Sequence, residues 1–201
     1  MINLYFYAPR VKSLGPGTRF GLWVQGCYRR CKGCIAPDSW DPKKGKLISI
    51  DRLVSLIEEA NVDGITISGG EPFLQSRPLS RLIDRLTKTL PELDYILYTG
   101  YKIEDIMEDG EKRELLNRVD LVIDGEYIEE LNQETPLRGS INQRIVVLSE
   151  RGQKLALHFL IKQEREVEFL IKDGEIRLVG IPPKKLLNLK SFKTNWKKES
   201  V

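Results

Sequence analysis

Short apolar runs rich in β-branched and aromatic residues alternate with helix-period segments over residues 1–150, and that alternation admits few folds. The runs are Ile2–Ala8, Phe20–Val24, Gly64–Ser68, Tyr95–Thr99, Leu121–Asp124 and Arg144–Leu148. Between them, Leu53, Leu56, Ile57 and Ala60 share one face of a helix over Asp51–Ala60. Leu79, Leu82, Ile83, Leu86 and Leu90 do the same over Pro78–Leu90. Pro78 suits a first helical turn, Pro91 stops that helix, and Glu111–Arg118 reads as a shorter one. Strands separated by helices require right-handed crossovers and therefore a mostly parallel sheet. Six strands are too few for the closed eight-fold barrel, so the expected class is α/β, an open sheet or incomplete parallel barrel over residues 1–153. Ligands of such sheets gather at the carboxyl ends of the strands.

The character of the chain changes after residue 153. Leu155–Lys162 reads as a strand, and Glu166–Lys172 and Glu175–Gly180 flank Asp173-Gly174, a type I′ turn signal. Residues 154–180 are therefore expected to form a β-hairpin or three-stranded extension, ended by Ile181-Pro182-Pro183. A basic, partly ordered tail is expected over residues 181–201. It holds six lysines against one glutamate, so the other 180 residues carry a net −2 although the whole chain is at +3. The positive charge thus belongs to a tail and not to a binding face, and nucleic acid is not an expected partner. No apolar run approaches the ~20 residues of a membrane helix. The start, MINLYFYAPR, has no basic region followed by an apolar stretch and cleavage site, so the expected location is the cytoplasm.

The three cysteines, Cys27, Cys31 and Cys34, all lie within eight residues on the loop after the Phe20–Val24 strand. An odd, clustered set is a poor disulfide framework. Gly26 and Gly33 allow the tight folding that brings three thiolates to one inorganic centre, and soft thiolates select zinc or an iron–sulfur cluster. Structural zinc takes four ligands, and the only histidine, His158, is the one distant fourth available. A cubane held by three cysteines leaves one iron open to a substrate or cofactor.

Further motifs extend the pattern. They are Gly15-Pro-Gly-Thr-Arg19, Leu22-Trp-Val-Gln-Gly-Cys27, Cys31-Lys-Gly-Cys34, Ser39-Trp40 and Ser68-Gly-Gly-Glu-Pro72. Tyr98-Thr-Gly-Tyr101, Asp124-Gly125 and Gly139-Ser-Ile-Asn-Gln-Arg144 follow in order. Together this set, spanning residues 15–144, resembles the radical S-adenosylmethionine (SAM) superfamily. Within it the likeness is to activases of glycyl radical enzymes, in the branch serving anaerobic ribonucleotide reductases.

The resemblance implies a [4Fe–4S] cluster on Cys27, Cys31 and Cys34, with SAM chelating the open iron through its amino and carboxylate groups. It implies reductive cleavage of SAM to a 5′-deoxyadenosyl radical that takes a hydrogen atom from a glycine Cα of a partner glycyl radical enzyme. Gly69, Gly70 and Glu71 would meet the SAM amino group, and Gly33, Cys34 and Ile35 the adenine. Thr99 would meet the ribose or carboxylate, and Asp124 is a further cofactor-side candidate. No catalytic group beyond the cluster and SAM ligands is implied, because the cofactors carry the hard chemistry. Arg19 is expected to be a structural or SAM-side cation, and Trp23 and Trp40 to pack around the cluster loop. A reduced flavodoxin- or ferredoxin-type electron donor would also be needed. The alternatives are a radical SAM catalyst acting on a small molecule or peptide, and a non-catalytic zinc or iron–sulfur module.

Overall fold

The computed structural model describes residues 1–161, 164–172 and 175–187. Among the described residues the strands are β1 (Ile2–Val11), β2 (Arg19–Val24), β3 (Lys46–Ile48), β4 (Gly64–Gly69), β5 (Asp94–Tyr98), β6 (Leu121–Asp124), β7 (Arg144–Val147), β8 (Val167–Lys172) and β9 (Glu175–Gly180). The helices are α1 (Ile50–Ala60), α2 (Ser76–Thr89), α3 (Ile103–Met107), α4 (Gly110–Leu116), α5 (Glu150–Ile161) and α6 (Lys184–Leu187).

Seven strands make one mixed sheet in the order β3-β1-β2-β4-β5-β6-β7. Its centre, β2-β4-β5-β6, is parallel, while β1, β3 and β7 pair antiparallel at the flanks. The central strands are nearly continuous in apolar residues because both faces of the sheet are covered. On one face α1 and α2 bury Leu53, Ile57, Leu79, Leu82, Ile83 and Leu86 against Ile65, Ile67 and Leu97. Each such side chain contributes roughly 1.5–3 kcal/mol. Ser49 caps α1 by accepting from Arg52 N–H at 3.1 Å, and Asn61 ends it in the left-handed region at φ 46°.

The opposite face of the sheet corrects the expected strand at Leu155–Lys162. That segment belongs to α5, where Leu155 and Phe159, one turn apart, are buried with Ile96, Leu121 and Ile123. A strand would also have turned Leu157 inward, but it is 58% exposed. Gly152 permits the contact, since a Cβ there would stand 2.0 Å from the Asp120 carbonyl oxygen. His158 is therefore a half-buried helix residue and not a strand residue. α5 also runs through residue 153, where the body was expected to end, so the extension contains two described strands and not three. Their antiparallel pairing matches Val167 with Gly180 and Lys172 with Glu175. The Asp173-Gly174 turn and most of the basic tail lie outside the described residues. Val179 packs with Ala8, Val11 and Leu14, and Glu168 accepts from the backbone N–H groups of Lys12 and Ser13 at 2.7 and 2.8 Å.

Arg19 is a structural cation. Fully buried, it donates to Thr66 Oγ1 at 2.7 Å and the Ile65 carbonyl at 2.9 Å, and pairs with Asp94 at 2.6 Å. Gly64 leaves the room for this pair, because a Cβ there would meet Asp94 at 2.3 Å and Arg19 at 2.7 Å. Burial raises the Asp94 carboxyl, and the Arg19 charge opposes that shift. Arg19→Met leaves Asp94 without its cation and is expected to cost about 3 kcal/mol in urea unfolding, whereas a loss below about 1 kcal/mol would show that the ion pair is dispensable.

Candidate active site

Four loops leave the carboxyl ends of the parallel strands on the same side of the sheet. They carry Cys27–Cys34 after β2, Gly69–Glu71 at the end of β4, Thr99-Gly100 after β5 and Gly125 after β6. All four contribute to one open cavity. Cys27, Cys31, Cys34, Gly33, Ile35, Gly69, Gly70, Glu71 and Thr99 line it. Asp124 does not: it is fully buried, accepts from Ile103 N–H at 2.9 Å and is gripped by Arg144. Its carboxylate fastens β7 to α3 and is corrected here from a cofactor-side to a structural group. His158 is also absent from the lining, so the proposed fourth zinc ligand is not among the groups around the thiols.

The glycines in this region serve close approaches within the chain. A Cβ on Gly70 would stand 2.2 Å from the Gly26 carbonyl oxygen, and one on Gly69 2.6 Å from Val24 N. The approach is cemented by Gly70 N–H donating to Val24 and Glu71 N–H donating to Gly26, each at 2.8 Å. Within the cysteine loop, Arg30 and Gly33 adopt left-handed backbone, φ 51° and 73°, which folds the segment back on itself.

Glu71 is 2% exposed, and its carboxylate is occupied by the chain itself. Oε1 accepts from Thr99 Oγ1 at 2.8 Å and Phe73 N–H at 3.1 Å, and Oε2 from Gly100 N–H at 2.9 Å. The Thr99 hydroxyl also accepts from Tyr101 N–H at 3.0 Å, so its proton is committed and only an acceptor position remains for a ligand.

The Cys31 and Cys34 thiols are tuned by burial and neighbouring groups. Burial pushes Cys31 up to about 11, helped by Glu126, to which its S–H donates at 3.6 Å. Burial also raises Cys34, but backbone N–H of Ala36 and the Trp40 indole oppose it. Those two donors suit a thiolate, and metal binding would expel the thiol protons. Among the described residues, Arg29 Nε and Tyr98 Oη are buried polar atoms of the lining without a hydrogen-bond partner. Three sulfur donors and unspent polar groups around a roomy cavity fit a cubane cluster with a polar organic ligand.

Several lining residues were not legible as site residues. Gln143 fixes the Gly139–Arg144 motif: its Oε1 accepts from Gly139 and Ser140 N–H, and its Nε2 donates to the Gly125 carbonyl at 2.9 Å. Arg165, Gly180, Ile181 and Pro182 come from the region beyond the resemblance. Arg165 donates to the carbonyls of Thr135, Arg138, Gly139 and Pro182 and to Asn132 Oδ1, at 2.7–3.1 Å. No local pattern announces these residues, because their partners lie far along the chain.

These features carry the comparison with known proteins. The 4Fe-4S single cluster domain family matches residues 13–146, two thirds of the chain, and the chain belongs to it. The anaerobic ribonucleoside-triphosphate reductase-activating protein of Enterobacteria phage T4 is 38% identical over 136 residues, covering 65% of this chain and 85% of that protein. The protein of the same name from Haemophilus influenzae is 32% identical over 152 residues, covering 72% and 97%. Among solved structures, QueE from Escherichia coli aligns with 17% identity and a TM-score of 0.39, over 61% of this chain and 69% of that one.

Two outcomes test the site as built. Burial raises the Glu71 carboxyl, so folding favours its protonated form, and its contribution to stability declines as pH climbs through the folded value. Relative to Glu71→Gln, the wild type should lose unfolding free energy as pH rises from the ordinary carboxylate range through the raised folded value; a gain would show that the ionised form is favoured. Arg165→Ala strips five hydrogen bonds and is expected to cost about 2–3 kcal/mol in denaturant unfolding, with faster proteolysis of residues 132–143. Unchanged stability and proteolysis would remove Arg165 as a clamp.

Proposed function

We infer that the protein is a radical SAM activase that installs a glycyl radical on a separate enzyme of the anaerobic ribonucleotide reductase kind. The observation that carries this reading is the convergence of Cys27, Cys31 and Cys34 with the Gly69–Glu71 loop on one cavity, in a chain 38% identical to a reductase-activating protein. Cys27, Cys31 and Cys34 would hold a [4Fe–4S] cluster with one iron left open. When bound, the cluster supplies the electron that splits SAM into methionine and a 5′-deoxyadenosyl radical, which takes the glycine hydrogen atom.

The chain's own residues position and shield. Gly69, Gly70 and Glu71 present backbone for the SAM amino group, while the Glu71 side chain braces the loops that flank it. Gly33, Cys34 and Ile35 offer backbone and an apolar side chain to the adenine, and Thr99 has an acceptor position for a ribose hydroxyl. The Ala36 and Trp40 N–H groups support the Cys34 thiolate. Holding the reacting groups in a fixed geometry away from bulk water favours transfer over quenching.

The open sheet is read as an incomplete (β/α) barrel whose missing side admits the partner's glycine-bearing segment. We read residues 1–153 as the body, with the remainder of α5 attached to it. Residues 154–180 beyond that helix form a wall-building extension, and residues 181–201 a basic tail. The electron would come from a reduced flavodoxin or ferredoxin in the cytoplasm. Among the described residues no helix is long and apolar enough to cross a membrane.

Anaerobic reconstitution with iron and sulfide tests the reading. The protein should bind about four iron and four sulfide, a cubane's content, and release 5′-deoxyadenosine from SAM under reductant. With a candidate reductase it should produce a glycyl radical signal in electron paramagnetic resonance. Cys31→Ala should lower 5′-deoxyadenosine release by at least about a hundredfold, and zinc without sulfide in the wild type would overturn the assignment.

A further inference from the structure

The cysteine loop carries a cation with no established task. Arg29 lies between Cys27 and Cys31 and lines the same cavity. Its guanidinium carbon sits 4.5 Å from the centre of the Tyr101 ring, a cation–π contact that holds the group in place. A slot has been kept for it: a Cβ on Gly100 would stand 2.2 Å from Arg29 Cδ and 2.5 Å from its Nε. Gly100 has no positive φ, so the absence of a side chain there serves this approach and not a turn.

Arg29 is placed but not satisfied. Among the described residues its Nε is buried without a hydrogen-bond partner, and its ion pair to Glu126 is long at 3.9 Å and half exposed on the glutamate side. Such a pair contributes little, and a buried guanidinium N–H left unmade is costly. The other arginine lining the cavity, Arg165, already has its donors distributed over five oxygens of the chain. Arg29 is thus the lining cation, among the described residues, with a planar fork of donors to offer.

A fork of that shape beside three cluster thiols matches a carboxylate presented at the open iron. We propose that Arg29 binds the carboxylate of SAM, orienting the amino acid moiety on the cluster; this rests on the SAM reading above. The carboxylate then replaces the long Glu126 pairing at the Nη end of the guanidinium with a charge-assisted one. Arg29 acts here as a positioning residue.

The test uses reconstituted holoprotein and measures dissociation constants by anaerobic equilibrium dialysis. The two probes are SAM and decarboxylated SAM, which keeps the sulfonium, amine and adenosine. Arg29→Gln should raise the Kd for SAM about 10- to 100-fold and leave that for decarboxylated SAM within about twofold. Arg29→Lys keeps the charge but loses the fork, so it should fall between wild type and Arg29→Gln, and it serves if the glutamine variant assembles less cluster. Equal weakening of both probes, or of neither, in a variant with wild-type iron and sulfide would overturn the proposal. A wild type that binds SAM while ignoring Arg29 refutes this role alone. A wild type that binds neither probe refutes the SAM reading and with it this one.

Discussion

The contact on which the site depends is the close approach of the loop after β4 to the start of the cysteine loop. Two main chains come together there without a side chain between them, and Gly70 and Glu71 donate into Val24 and Gly26. The Glu71 carboxylate then reaches Thr99 and Gly100, Thr99 N–H donates to Ile123, and Gly125 N–H donates to Tyr101. Gln143 continues the chain of bonds from Gly125 to the loop before β7. One hydrogen-bonded arc therefore links the thiol-bearing loop to the end of every central strand. Cluster geometry and sheet geometry are not independent in such an arrangement.

Charge is divided by task along the same arc. Arg19 lies beneath it, fully buried and fully engaged, and holds β2 to β5. Arg144 is engaged by Asp124 and Glu104 and ties β6, β7 and α3, while Arg165 spends its donors on the rim. Arg29 differs from these three because it lines the cavity together with the thiols and its ion pair, to Glu126, is long. A guanidinium that is positioned by a ring and a glycine, but not consumed by the fold, is suited to a ligand that arrives later.

Much of the fold was legible because it rests on local periodicity. The apolar faces of α1 and α2 repeat at helical spacing, and β2, β5 and β6 are nearly continuous apolar runs that a covered sheet accommodates. The α5 segment reads equally as a strand, because Leu155, Leu157 and Phe159 alternate while Leu155 and Phe159 also stand one helical turn apart. Only the Ile96–Ile123 surface, which accepts Leu155 and Phe159 and excludes Leu157, selects between them. Asp124 was misassigned for a related reason: a carboxylate at a strand end looks available until a distant Arg144 claims it.

The sequence by itself determined the chemistry of the centre. Three cysteines at those spacings can converge without help from the rest of the chain, and Gly69-Gly70-Glu71 directly follows a strand that ends beside them. Only the tertiary structure decided which polar groups remain free to act on a ligand. Glu71, Thr99 and Asp124 are largely spent on partners 20 to 30 residues away, and Arg29 is not. Residue type and spacing specify what a group can bind, but whether it is still unpaired depends on contacts across the fold.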